Sequence, residues 1–232
     1  ERLTSILSDP DECGMSALDC IYEIMENEVQ RRDSNALARR LKEAKICLPN
    51  ARPDTIDFSI ERGLDKNKID ALLTMRWMEE HQNIIITGAA GCGKTFLACA
   101  LVNQACIKGR TARVVRVPLL LNQMAASHQI VETYFKKLKE MKTIDLLVLD
   151  DWGIGQLDAR SRQDLLEIIN ERYMYASTIV TSVLPVNKWS EYINDTTYSD
   201  AILDRLVSVS HRVELNGASV RQMKEYGAVL KE

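Results

Sequence analysis

Short apolar runs alternate with longer amphipathic stretches through most of this chain. That alternation predicts an α/β unit built on a parallel sheet with helices on both faces. The runs at 83 to 87, 111 to 117, 144 to 149, 177 to 182 and 211 to 215 read as strands. Helical periods separate them. Lys66 to Glu80 carries Ile69, Leu72, Leu73 and Trp77; Phe96 to Ile107 closes near Gly109; helical material runs on to about Met141. Further helices are expected from Ser161 to Met174 and near 199 to 208. Ahead of this unit, Leu18, Ile21, Tyr22, Met25 and Val29 recur at helical spacing between Met15 and Val29. Asp33 or Ser34 is placed to cap a second helix with the stripe Leu37, Leu41 and Ala44. Leu48-Pro49-Asn50-Ala51-Arg52-Pro53 then breaks the pattern. The expected organisation is a helical N-terminal domain over 1–50, a linker near 48 to 60, and a larger α/β domain over 51–232. After the last strand only residues 216 to 232 remain, too few for a full helical lid.

Composition changes this picture little. The 232 residues are 46% hydrophobic and 27% charged, with a net charge of -3. No apolar run approaches the length of a membrane span, and no signal-peptide pattern opens the chain. A cytoplasmic location without membrane contact is expected. The cysteines at 13, 20, 47, 92, 99 and 106 form no C-x-x-C pair or zinc spacing, and pack best as small apolar residues in a reducing compartment.

Candidate chemistry centres on Gly88-Ala89-Ala90-Gly91-Cys92-Gly93-Lys94-Thr95, a complete G-x-x-x-x-G-K-T loop between a strand and a helix. Glycines there let the backbone turn its N–H groups onto phosphate oxygens, and the helix adds its positive end. Lys94 would reach the β- and γ-phosphates of ATP, and the Thr95 hydroxyl would ligate Mg²⁺. The run at 146 to 149 ends in Asp150 and Asp151. If its strand lies beside the loop strand, Asp150 is placed to hold Mg²⁺ and Asp151 to accept a proton from water. Thr181 and Ser182 end another apolar run and read either as a hydroxyl for the γ-phosphate or the water beside it, or as a strand-end turn without a catalytic duty; spacing leaves both open. Arg205 reads either as a surface cation paired with Asp204 or as an arginine finger for a neighbouring subunit, and spacing leaves both open. Two basic faces stand out. One holds Arg31, Arg32, Arg39, Arg40, Lys42 and Lys45; the other holds Lys136, Lys137, Lys139 and Lys142. Either is a solvated helix face or a contact for a phosphodiester backbone.

Four strings together resemble the IstB family: Asn83 to Thr95, LLVLDDWG at 146 to 153, TIVTSVLP at 178 to 185, and AILDRLVSVSHRVELNGASVR at 201 to 221. The basic run ALARRLKEAKICLP at 36 to 49 is also similar to the N-terminal region of that family. Its members are AAA+ helper ATPases of insertion-sequence transposition, related to the DnaC helicase loaders. The resemblance implies a P-loop AAA+ fold, with Lys94 and Thr95 as the loop lysine and threonine. It makes Asp150 the magnesium carboxylate, Asp151 the catalytic acid, Ser182 the fourth-strand sensor and Arg205 the arginine finger. Arg212 and Arg221 are left as substitutes for a second-sensor arginine. Asp151, where many relatives carry Glu, favours a slow ATP switch over a motor. The implied partners are double-stranded DNA, further copies of the chain joined through the nucleotide interface, and a cognate transposase. A helicase-loading role is the alternative. A small-molecule kinase would need an acceptor pocket and a basic lid, which the chain does not offer.

Overall fold

The computed structural model describes residues 17–217 and 219–220. Five strands, β1 (Asn83–Gly88), β2 (Ala112–Arg116), β3 (Leu146–Trp152), β4 (Ser177–Ser182) and β5 (Ser210–Leu215), form one parallel sheet in the order β2-β3-β4-β1-β5. Both faces are covered. Ile84, Ile85 and Ile86 of β1 are therefore all buried, as are all four apolar residues from Leu146 to Leu149 of β3. One layer of core gathers around α4 (Lys94–Ile107), whose Ala98, Cys99, Ala100, Ala105 and Cys106 are small enough for close approach to the sheet. The other layer forms under α5 (Val117–Ser127), α6 (Val131–Thr143), α7 (Ala159–Arg172), α8 (Trp189–Ile193) and α9 (Thr196–Val207), with Trp152 against Trp189 at its centre. Asp158 and Asp195 cap α7 and α9 by accepting from the N–H groups of Ser161 and Tyr198.

Because every strand runs the same way, all five carboxyl ends lie along one edge of the sheet. That edge collects the phosphate loop after β1, Asp150 and Asp151 on β3, Thr181 and Ser182 on β4, and Arg116 on β2. One expectation is corrected here. β3 does not neighbour β1, since β4 is inserted between them. β4 therefore stands between the strand that carries the aspartates and the strand that leads into the loop.

Three further expectations change. The N-terminal pair of helices is one helix, α1 (Ala17–Glu43), that runs through Asp33 and Ser34. Its Leu37, Leu41 and the following Ala44 pack on the first core layer, and the Val114 N–H of β2 donates to Ala44 O. The stretch from 66 to 80 is two helices, α2 (Lys66–Leu73) and α3 (Arg76–Glu79), separated by Met75 at φ 66°. Trp77 turns back there to donate its indole N–H to Leu72 O. The segment 48 to 60, expected as a linker, is folded onto the core, with Ala51 and Ile56 buried and a short 3-10 turn at Pro53–Thr55.

Candidate functional site

The loop connecting β1 to α4 turns on glycines that no other residue replaces easily. Gly88 has φ 149°, and a Cβ there would sit 2.2 Å from Leu215 O; a Cβ on Gly93 (φ 100°) would sit 2.4 Å from Arg62 Nη1. The Lys94 ammonium donates to Gly88 O and Ala89 O, both at 2.8 Å, so it is held at the mouth of the loop. Ala89, Ala90, Gly91 and Cys92 complete the curve, and the Cys92 side chain is fully buried beneath it.

At the head of α4, Thr95 Oγ1 donates to Asp150 Oδ1 at 3.0 Å. The same carboxylate oxygen accepts from Thr181 Oγ1 on the intervening strand. Thr95, Asp150 and Thr181 thus form one hydrogen-bonded cluster at the carboxyl edge, with Asp150 and Thr181 almost wholly buried. A threonine hydroxyl and a carboxylate fit a hard cation such as Mg²⁺, and the glycine loop beside them fits a triphosphate.

β3 bulges between Leu149 and Trp152, and Asp151 takes a left-handed φ of 61°. This bulge re-aims Asp151 relative to Asp150. Its Oδ2 meets Arg116 Nε at 2.6 Å, at the end of edge strand β2. The contact with Asp151 raises the pKa of the Arg116 guanidinium further above its ordinary value. The Asp151 N–H donates to Thr181 Oγ1 at 3.3 Å, so Thr181 touches both aspartates.

Ser182, expected as the sensor, is directed elsewhere. Its hydroxyl donates to Trp152 O at 2.9 Å and accepts from the Leu184 N–H at 3.0 Å. Adjacent strand residues face opposite sides of the sheet, and the register puts Thr181 on the side of Asp150.

Arg205 lies at the other edge of the sheet. Its Nη1 donates to Ala201 O at 2.7 Å, its guanidinium stands 5.7 Å from the centre of the Tyr173 ring, and its carbonyl accepts from Asn83 Nδ2. Asn83 opens β1 and Gly88 closes it, so the edge holding Arg205 and the edge holding the loop are about 17 Å apart along the strand. Arg205 is not paired with Asp204 through its guanidinium, and its own loop is out of reach. Arg212 is exposed on β5, and Arg221 lies outside the described residues.

Sequence reasoning missed the wall beside the loop. A cavity of about 320 Å³ opens there, lined by Leu48, Thr55, Asp57, Ile60, Arg62 and Phe96 with the loop itself. Arg62 is only 5% exposed. It donates to Cys92 O at 3.3 Å and Asp57 O at 3.0 Å, leaves its Nε without a partner among the described residues, and has its pKa lowered by burial. A signal was present in the alternation of Ile56, Phe58 and Ile60 ahead of Arg62, which marks a packed strip.

The basic candidates divide. Arg31 and Arg32 both grip Glu28, and Lys142 pairs with Glu171. Arg40 donates to Cys106 O. Arg39, Lys42, Lys45, Lys136 and Lys139 are exposed, and Lys137 is half-buried. Cys20, Cys47, Cys92, Cys99 and Cys106 are free thiols, and burial pushes the Cys99 thiol up to about 12. No helix among the described residues is long and apolar enough to cross a membrane.

Comparison with known proteins agrees with this geometry. Residues 3–228 match the model of the IstB-like ATP binding proteins. The chain is 39% identical, over 96% of its length and 90% of the relative's, to the putative insertion sequence ATP-binding protein y4pL of Sinorhizobium fredii. It is 29% identical, over 95% and 82%, to the IS21 putative ATP-binding protein of Pseudomonas aeruginosa. Its fold is similar to the solved structure of the DnaC helicase loader, with a TM-score of 0.57 and 21% identity over 72% of this chain and 98% of that one. It is likewise similar to AMPPCP-bound DnaA from Aquifex aeolicus, with a TM-score of 0.60 and 22% identity over 79% and 56%. With its glycine loop, its inserted fourth strand and a family match along nearly its whole length, the chain belongs to the IstB-like ATP-binding proteins of insertion sequences, on the AAA+ P-loop fold.

Proposed function

We propose that this protein is a slow ATPase that assembles on duplex DNA in its ATP-bound state and there stimulates the transposase of its insertion sequence. The observation that carries the reading is the separation of two halves of one site. The loop, Asp150 and Asp151 lie at the carboxyl edge of the sheet, and Arg205 at the amino edge. A chain whose Arg205 is out of reach of its own triphosphate completes the site by setting one copy's amino edge against the next copy's carboxyl edge. Such a head-to-tail contact builds rings or helices. It also makes ATP occupancy and assembly favour each other reciprocally.

In the assembled site Thr95 and Asp150 would hold Mg²⁺, which would offset charge on the β- and γ-phosphate oxygens of ATP. Lys94 exchanges the Gly88 and Ala89 carbonyls for those oxygens. Asp151 takes the proton of the water that adds to the γ-phosphorus, as ADP leaves with the bridging oxygen and inorganic phosphate forms. Thr181 takes the sensor position expected of Ser182, holding Asp150 in place. Arg205 of the adjacent copy stabilises the transition-state charge. Exposed Arg39, Lys42, Lys45, Lys136 and Lys139, with Lys137, supply backbone contact with little sequence preference, so binding weakens with salt. Arg40 contributes less, being bonded to Cys106 O.

Phosphate release measured with duplex, with single strands and without DNA tests the reading. Duplex should stimulate most, Asp151→Asn should abolish release, and Arg205→Ala should weaken ATP-dependent assembly while sparing monomer nucleotide affinity. Preferential stimulation by single strands would favour the helicase-loading alternative. Unchanged assembly of Arg205→Ala would end the composite-site reading.

A further inference from the structure

Arg205, which the composite site needs from a neighbouring copy, sits in a rigid frame. Its backbone carbonyl accepts from Asn83 Nδ2 at 3.1 Å, and Asn83 Oδ1 accepts from the Thr178 N–H at 2.9 Å. One side chain thus ties α9 to the amino ends of β1 and β4. The guanidinium has two contacts of its own. Nη1 donates to Ala201 O at 2.7 Å, one turn back on α9, and the group stands over the Tyr173 ring. Tyr173 is fixed in turn. It follows Arg172, whose four buried bonds pin the end of α7. The Tyr173 N–H donates to Ile169 O at 2.9 Å, and Met174 turns the chain at φ 64°. Beside the pair lies a cavity of about 240 Å³, lined in part by Tyr173, Met174, Arg205 and Val209. Among the described residues no carboxylate forms an ion pair with Arg205.

The two contacts differ in what they leave free. The Ala201 bond occupies an in-plane N–H, so a phosphate oxygen must displace it. The ring takes only the face of the planar guanidinium, and the N–H groups around its edge stay available. We propose that Tyr173 is a positioning residue for Arg205: its ring holds the guanidinium plane while Nη1 exchanges Ala201 O for a γ-phosphate oxygen in the adjacent copy. The inference rests on the composite-site reading above and adds how the cation arrives oriented. An arginine free in solvent loses rotamer freedom when it docks. One already resting on a fixed ring has lost part of that freedom before the neighbour arrives. Tyr173 is 38% exposed, and a ring contact at an exposed site is worth about two- to fivefold in an equilibrium constant.

Two full-length chains, mixed in equal amounts with ATP, magnesium and duplex DNA, test the role of the ring. The Asp151→Asn chain lends an arginine, and the Arg205→Ala chain lends a pocket. Tyr173→Leu added to the arginine-lending chain should cut the recovered phosphate release by about two- to fivefold. Added to the pocket-lending chain, where no guanidinium needs the ring, it should leave the recovered rate as it was. Tyr173→Phe, which keeps the ring, should retain the full rate on the arginine-lending chain. A ring that only supports the fold would count the same in both chains. A loss at least as large in the pocket-lending chain, or no loss in either, therefore overturns the proposal and leaves the composite site standing. A mixture that shows no recovery even with Tyr173 intact overturns the composite site itself.

Discussion

Replacing Thr181 by Val separates the two neighbouring hydroxyls at the end of β4. The change conserves shape and removes one oxygen. Two bonds go with it: the one Thr181 donates to Asp150 Oδ1, and the one it accepts from the Asp151 N–H. Asp150 keeps the Thr95 hydroxyl at 3.0 Å but loses its support from the side of β4. Removing an outer partner of a metal-holding carboxylate typically costs about 10- to 100-fold in metal affinity or activity, or about 1.4 to 2.7 kcal/mol. Thr181→Val should therefore lower magnesium-dependent phosphate release by that factor and raise the magnesium needed for half-maximal rate. The control is Ser182→Ala, which deletes the bond to Trp152 O at 2.9 Å and leaves the Leu184 N–H unpaired. That variant should lose about 1 to 2 kcal/mol of stability with turnover nearly intact. The assay is steady-state phosphate release across a magnesium series, with thermal unfolding of each variant run beside it. If Ser182→Ala lost turnover while Thr181→Val kept it, with both folded, the assignment of Thr181 would be wrong.

Arg172 is 2% exposed and donates to Met141 O, Ile144 O, Ser177 O and Thr178 Oγ1, tying α7 to the amino ends of β3 and β4. Arg172→Ala should cost about 3 to 5 kcal/mol in chemical denaturation, because several carbonyls are left buried without donors. Arg62→Met should leave folding within about 1 kcal/mol, since losing two carbonyl bonds is offset by removing a buried charge. The same change should weaken equilibrium binding of ATP by about tenfold if the cavity beside the loop takes the nucleoside; unaltered affinity would place the nucleoside elsewhere.

Much of the fold was legible because a sheet covered on both faces writes its strands as unbroken apolar runs. The loop was legible because only glycines tolerate its backbone. Strand order was not, since nothing in the residues of β4 says that it lies between β1 and β3. Thr181 and Ser182 differ by one register step, and that step decides which hydroxyl meets Asp150. Asp33 and Ser34 looked like a cap, yet in mid-helix they cost only a few tenths of a kcal/mol, too little to stop α1. The break at Met75 carries no glycine or proline. Burial of Trp77 and its bond to Leu72 O accompany it, and both are tertiary effects. Arg116 was invisible as a partner of Asp151 because pairing of β2 with β3 brings them together across 35 positions of sequence.

Mixing two inactive variants tests the composite site most directly. Asp151→Asn keeps a normal Arg205 but has no proton acceptor; Arg205→Ala keeps Asp151 but offers its neighbour no cation. In equal mixture with ATP and duplex DNA, about a quarter of head-to-tail contacts would join an intact pocket to an intact arginine. Phosphate release should recover to about that fraction of the parent rate, from near zero for either variant alone. A mixture no more active than its components, while forming the same assemblies, would contradict a site shared between copies.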